Sequence, residues 1–218
     1  MEQPSTLEKK QDHLQHHFVD SDQQFESAKM GMWIFLVTEI LFFGGLFAAY
    51  IVFRSWYPEL FLLASDHLDT FWGAVNTVVL ISSSLTVAMA IRSAQLNQQK
   101  GIIINLAITI ALAFVFMVIK YFEYTEKFAV GIFPGGYYTY EGIAHDQANI
   151  FFSIYYMMTG LHGIHVVVGI GLMVWLLLRA RKGHFSSEYY TPVEITGLYW
   201  HLVDIIWIFL FPLLYLID

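Results

Sequence analysis

Five long apolar segments limit what this chain can fold into. They lie at 30–53, 70–92, 101–121, 148–178 and 194–217. A helix needs about 20 mostly apolar residues to cross a hydrocarbon core of about 30 Å, and each segment is long enough. Because backbone polar groups cannot stay unpaired in lipid, segments of this kind must be helical. The sequence therefore predicts an all-α integral membrane bundle with five transmembrane helices.

The composition supports this fold class and excludes several others. Of the 218 residues, 57% are hydrophobic and only 13% are charged, unlike an ordinary soluble domain. The sequence has no cysteine, which excludes a disulfide framework, a cysteine-ligated metal centre and a thiolate nucleophile. A net charge of −7 and the scatter of the few basic residues argue against nucleic acid as a partner.

The basic residues predict the orientation of the bundle. The amino-terminal tail and the second and fourth connectors carry Lys9, Lys10, Lys29, Arg92, Lys100, Arg179, Arg181 and Lys182, whereas the opposite side carries Arg54, Lys120 and Lys127. Because cytoplasmic connectors are enriched in Lys and Arg, we expect the amino end in the cytoplasm and the carboxyl end outside. Residues 1–28 are then a polar cytoplasmic tail, and residues 29–218 are the five-helix transmembrane domain.

Several polar side chains lie inside the apolar segments, beginning with the glutamate of WIFLVTEILFFGG. A charge at bilayer depth costs at least about 2.5–3.5 kcal/mol, so each such group needs a partner, water or a neutral form. Residues three apart on a helix share a face, so His162 is grouped with His165, and His201 with Asp204. The predicted intramembrane polar cluster consists of Glu39, His162, His165, His201 and Asp204. Secondary candidates are Asn76, Glu123 and Glu194.

The residues alone leave several functions open for this cluster. Two imidazoles from different helices, such as His162 or His165 with His201, are the ligand set of a b-type haem. Carboxylates with histidines also suit a proton relay or a metal site. A purely structural role, in which the groups satisfy one another, is the plainest alternative. The local abundance of Tyr, Trp and Met disfavours the haem, because a porphyrin face needs small residues.

The order of motifs along the chain resembles subunit III of the haem–copper respiratory oxidases. The motifs are GMWIFLVTEILFFGGLFAAY at 31–50, NTVVLISSSLTVAMA at 76–90, KYFEY at 120–124, FFSIYYMMTGLHGIHVVVG at 151–169, HFSSEY at 184–189 and YWHLVDIIWIFLFPLLYL at 199–216. Together they extend over nearly all of the chain from residue 31 to residue 216.

This resemblance implies an accessory subunit with no catalytic residue, haem or copper of its own. Such a subunit binds beside catalytic subunit I, which with other subunits holds the haem and copper, reduces dioxygen to water and pumps protons. It supports the stability and proton uptake of the complex in a bacterial-type inner (plasma) membrane. TEILFFGG favours cytochrome c as the electron donor of the complex, with a quinol oxidase as the alternative. A haem-bearing electron carrier is a weaker alternative.

The resemblance also carries over to individual residues. Glu39 matches the intramembrane glutamate of the family, and the other four residues of the predicted cluster fall on its polar positions. In the family, this interior is associated with bound phospholipid. Longer members have seven crossings, and this chain resembles their last five. Because the two other helices help to form the lipid cleft, we expect another subunit to complete it here.

Overall fold

The structure is a computed structural model that describes residues 14–143, 145 and 147–217. The helices are α1 (Ser21–Trp56), α2 (Pro58–Ser65), α3 (Thr70–Gln95), α4 (Gln99–Ala129), α5 (Ala148–Arg181) and α6 (Thr191–Tyr215). All but α2 are long and apolar enough to cross a membrane. This confirms the predicted all-α fold with five membrane-spanning helices. Residues 1–13 of the predicted tail lie outside the described residues.

Helix α1 begins earlier than its apolar segment. It starts at Ser21 rather than at residue 30, after Asp20, whose carboxylate accepts a hydrogen bond from the backbone amide of Gln23 at 2.7 Å. This N-cap satisfies one of the free amides at the helix start. With 36 residues, α1 is about 54 Å long and exceeds the hydrocarbon thickness. The polar first turns of α1 therefore extend beyond the membrane.

The short helix α2 lies in the connector between the first two apolar segments of the sequence. Pro58 occupies its first turn, where the missing amide hydrogen costs little. Leu60, Phe61 and Ala64 are fully buried, and the Phe61 ring meets the Phe151 ring of α5 edge to face at 5.2 Å. Helix α2 thus covers one end of the bundle with an apolar face.

Helix α6 is the most buried of the long helices and packs against α1, α3 and α5. Its Trp200 and Trp207 are fully buried, and the indole N–H of Trp200 donates to the hydroxyl of Ser83 at 3.0 Å. A Cβ atom at Gly169 of α5 would lie 2.5 Å from the Trp200 ring. Only glycine therefore allows α5 to approach this indole so closely.

The connections between helices lie at two ends of the bundle. The amino end contains the start of α1 and the α3–α4 and α5–α6 connections, where the backbone amide of Ser187 donates to the Asn97 side chain at 3.2 Å. The carboxyl end contains α2, residues 130–143, 145 and 147, and the end of α6. There the Tyr50 hydroxyl donates to the carbonyl of Leu213. Which end faces the cytoplasm stays a prediction.

Candidate functional sites in the bundle interior

Glu39 of α1 forms a hydrogen-bonded pair with His165 of α5. The Glu39 Oε2 and His165 Nε2 atoms are 3.0 Å apart. The other ring nitrogen, Nδ1, is 2.9 Å from the carbonyl of Leu161. Since a carbonyl only accepts, Nδ1 carries a hydrogen, and one further proton must lie between Nε2 and Oε2. The pair is neutral overall whichever atom holds that proton, so Glu39 adds no net charge to the membrane interior.

Three helices hold this pair in place. The Tyr199 hydroxyl of α6 donates to the backbone carbonyl of His165 at 2.9 Å, and the two rings stack with centroids 6.4 Å apart. Phe43, one turn after Glu39, meets the imidazole edge to face at 5.2 Å. These contacts fix the orientation of the ring, so its Nε2 atom points at the glutamate.

Open space lies along α1 and α5 close to the pair in sequence. At Gly44 and Gly45 of α1, and at Gly160 and Gly163 of α5, a Cβ atom would meet nothing within 4 Å among the described residues. The four glycines therefore make no close interhelical packing inside this chain. We call these four glycines, together with the Glu39–His165 pair, the α1–α5 seam.

His201 and Asp204 lie at the contact between α6 and α3. The Nδ1 atom of His201 is 2.6 Å from the hydroxyl oxygen of Ser84. The same hydroxyl interacts with the buried Asp204 carboxyl. Neither Asp204 oxygen has a partner that meets hydrogen-bond geometry within the described part of the chain. Ser84 therefore serves as the shared polar neighbour of both residues.

His162 is buried in an aromatic environment. Its ring lies 5.3 Å from the Trp207 ring and 5.6 Å from the Phe116 ring, measured between centroids. Across the residues that the structure describes, neither nitrogen has a hydrogen-bond partner, and the same holds for the buried amide of Asn76. This environment does not favour the haem alternative, because the His162 nitrogens are enclosed by rings and those of His165 are already bonded.

The five residues of the predicted cluster thus lie in separate environments rather than in one hydrogen-bonded group. Only Glu39 and His165 bond to each other. The reason is rotational, since residues three apart on a helix differ by about 60° around its axis. That angle turns His165 towards α1 while His162 faces Trp207 and Phe116.

Glu123 lies in a second buried polar network at the carboxyl end. Its carboxylate accepts from Lys120 Nζ at 2.9 Å and from the Tyr155 and Tyr215 hydroxyls at 2.7 and 2.6 Å. Lys120 also donates to the Tyr215 hydroxyl at 2.9 Å. Lys127 adds a second ammonium 3.8 Å from Glu123. The network joins α4, α5 and α6, and every strong polar group in it has a partner, as burial of charge requires.

Glu194 has a more exposed environment at the amino end. Its carboxylate is 3.2 Å from the Lys29 ammonium, and the Lys29 side chain is 34% exposed. The ion pair links the start of α6 to α1 where both helices leave the apolar region. The Glu194 side chain is 16% exposed, so the pair is partly open to solvent, and an ion pair screened in this way contributes little to stability.

A comparison with known families covers almost the whole chain. The family model described as cytochrome c oxidase subunit III matches residues 15–218. The chain belongs to the cytochrome c oxidase subunit III family.

Curated relatives agree with this membership. A cytochrome c oxidase subunit 3 of Thermostichus vulcanus is 35% identical over 193 residues, which are 86% of this chain and 86% of the relative. One from Corynebacterium diphtheriae is 31% identical over 196 residues, 87% of both chains. One from Loxodonta africana is 30% identical over 198 residues, 87% of this chain but 69% of the longer relative.

Most residues of the Glu123 network in this subunit III family member are not predicted from the sequence. Glu123 was a secondary candidate, but Lys120 was counted only as a flanking charge, and Tyr155 and Tyr215 were not candidates. One local signal was present, because the KYFEY motif places Lys120 and Glu123 three apart on one helix face. The two tyrosines come from other helices, and no spacing along the chain indicates their approach.

Proposed function

We propose that this chain is an accessory subunit of a proton-pumping haem–copper oxidase that passes electrons from cytochrome c to dioxygen. The observation that carries the proposal is the family match over residues 15–218, together with relatives named cytochrome c oxidase subunit 3. The chain binds beside catalytic subunit I and supports its stability and proton uptake. Haem, copper and catalytic residues belong to the partner subunits, and the complex lies in a bacterial-type inner membrane.

The α1–α5 seam supports a role for this surface in assembly. Glycines on a membrane helix let another backbone or an acyl chain approach closely, and a Cβ atom at each glycine of the seam would meet nothing within 4 Å in the described chain. The side chains of Glu39 and His165 are 17% and 15% exposed, so part of the pair is open to a neighbouring component. The four glycines lie on other faces of α1 and α5, because each is more than about 100° around its helix from Glu39 or His165. We assign these open surfaces of α1 and α5 to contact with the rest of the oxidase and its bound phospholipid.

The Glu39–His165 pair is the candidate functional group of the seam. Glu39 lies ten residues after Lys29, or about 15 Å along the helix, which places the pair near mid-membrane. A neutral pair with one shared proton tolerates this depth, whereas an isolated carboxylate does not. Its role is to keep one polar contact available to the partner without placing a net charge in lipid.

Purification of the tagged full chain from its native membrane tests the proposal. We expect haem and copper to co-purify with the chain in a complex that consumes oxygen with reduced cytochrome c. After dissociation of the complex, the absorption bands of haem should stay with the partner subunits. A chain that purifies alone and stably, or that itself carries a Soret band, would contradict the proposal.

Depletion of the chain then tests its supporting role. Oxidase without this subunit should lose activity sooner during repeated turnover than the complete complex. Restoring the wild-type chain should restore the lifetime, and restoring a Glu39→Gln chain should restore it only in part. An identical lifetime with and without the chain would remove the supporting role while leaving family membership intact.

A further inference from the structure

We propose that the carboxyl end of the bundle holds a binding site for a phospholipid with a primary ammonium headgroup, of the phosphatidylethanolamine class. The site is a cleft of about 360 Å³ between the start of α3 and the end of α4. It is distinct from the α1–α5 seam, which lies near mid-membrane on α1 and α5. The proposal requires only that α3 and α4 cross a membrane, so it stands apart from the oxidase role.

One wall of the cleft is apolar and is exposed on the outer surface of the bundle. It is formed by Trp72 of α3 and by Ile119 and Phe122 of α4. The Trp72 side chain is 47% exposed and that of Phe122 is 65% exposed. Large exposed aromatic side chains on membrane helices contact acyl chains or the interfacial region. This wall is therefore suited to the upper part of an acyl chain.

The remaining wall is polar and charged. Its polar members are His67, Asp69, Glu123, Glu126, Lys127 and Tyr140, and the apolar Val130 and Ile132 lie beside them. Asp69 immediately precedes α3, and Lys127 is close to the last residue of α4. Phe122 lies about 6 Å deeper along α4 than Glu126. The cleft thus changes from apolar to charged at the end of the bundle where α3 begins and α4 ends. A site for one lipid molecule at the membrane interface should show this change.

The signs of the charges point to a zwitterion. Lys127 and the deeper Lys120 both flank Glu123, so this buried triad carries one excess positive charge. The exposed acids Asp69 and Glu126 lie close enough to attract Lys127. With Asp69 and Glu126 included, the five charged groups sum to −1, so the cleft lacks one cation. The ammonium of a zwitterionic headgroup would supply it, with the phosphate on the aqueous side. A purely anionic headgroup would add to the excess negative charge.

The hydrogen-bonding capacity of the acids favours a primary over a quaternary ammonium. Asp69 uses one carboxylate oxygen, Oδ1, to cap α3 through the amides of Phe71 and Trp72 at 3.0 and 3.2 Å. Its second oxygen remains an acceptor, as do both oxygens of Glu126. A primary ammonium donates charge-assisted hydrogen bonds to carboxylates, and a quaternary one has no N–H to donate. Choline lipids should therefore bind less well than ethanolamine lipids.

Photo-crosslinking of the full chain, within its purified complex in phosphatidylcholine nanodiscs, tests the site. The probe is a trace of phosphatidylethanolamine with a diazirine near the carboxyl end of one acyl chain, and peptide mass spectrometry locates the adducts. We expect adducts at Trp72, Ile119 and Phe122. Excess unlabelled phosphatidylethanolamine should lower them about fivefold, and phosphatidylcholine or phosphatidylglycerol should not.

A matched pair of variants links the labelling to the headgroup. Glu126→Gln neutralises an exposed carboxylate of the cleft while keeping the shape of the side chain, and should lower the adducts about fivefold. Glu59→Gln neutralises an exposed carboxylate on α2, outside the cleft, and should leave them unchanged.

Three results would overturn the proposal. Equal labelling by ethanolamine, choline and glycerol lipid probes would show headgroup-independent lipid contact. Competition by soluble glycerophosphoethanolamine would assign the cleft to a free headgroup instead of a lipid. Absence of adducts in the cleft, with adducts retained at the lipid-facing Val115 of α4, would mean that another component covers the site.

Discussion

Glu39 of α1 and Glu123 of α4 are both glutamates within long apolar helices of this chain, and their surroundings differ. Glu39 has one side-chain partner, His165, and its own side chain is 17% exposed. Glu123 accepts from one lysine and two tyrosines, with a second lysine nearby, and its side chain is only 5% exposed. The Glu39 side chain has one partner that it can lose or exchange, whereas the Glu123 carboxylate is held by several partners at once.

This difference distinguishes a buried polar group with a structural role from a partly open polar group with a functional role. A fully satisfied ionic network resists change, because removal of any member leaves a buried charge without compensation. A neutral pair at a partly open seam avoids that penalty and can still meet a neighbouring subunit. We therefore interpret the Glu123 network as the set of contacts that holds α4, α5 and α6 together. We interpret the Glu39–His165 pair as the group that contacts the other subunits of the complex.

The strongest test of this contrast is the removal of the buried ammonium. Lys120→Met should lower the free energy of unfolding by about 3–5 kcal/mol, because Glu123 loses its closest cation. Lys100→Met, which removes an exposed ammonium of the same helix at the amino end, is the matched control and should have little effect. Thermal unfolding of both variants in the same detergent measures the difference. Equal stability of the two variants would show that the Glu123 network does not stabilise the bundle.

Loss of one tyrosine hydroxyl should have a smaller effect. Tyr215→Phe keeps the ring but removes a donor to Glu123, and hydrogen bonds to charged groups contribute about 1.5–3 kcal/mol. The same unfolding experiment measures the loss. Combined with Lys120→Met, it should cost less than the sum of the two changes, because both act on one carboxylate. Strict additivity would mean that the hydroxyl and the ammonium act independently.

Removal of the exposed pair at the amino end should have the smallest effect. Glu194→Gln breaks the contact with Lys29, but solvent and salt already screen that pair. We expect a change within the error of the unfolding measurement, with assembly of the complex unaffected. A loss as large as that of Tyr215→Phe would place the Lys29–Glu194 contact among the structural networks.

The sequence predicted the membrane fold because helix length and hydropathy are local properties. It did not predict α2, since the eight residues from Pro58 to Ser65 are too few to show a clear helical periodicity. Their apolar face becomes evident only in the contact with Phe151. The need for a partner to Glu39 was predictable from the energetic cost of its charge. The choice of His165 over His162 was not, because it depends on helix rotation and on the position of α1. Tyr155 and Tyr215 reach Glu123 from distant parts of the sequence, for which a single sequence carries no signal.

The central claim is that Glu39 and His165 act as one proton-sharing unit, and a double-mutant cycle tests it most directly. Glu39→Leu, His165→Leu and the combined variant, none of which keeps a hydrogen bond between the two positions, would be compared by unfolding of the full chain in one detergent. We predict a coupling energy of about 1 kcal/mol, so the combined variant loses little more than either single variant. Losses that simply add would contradict the claim, since the two side chains would then contribute separately.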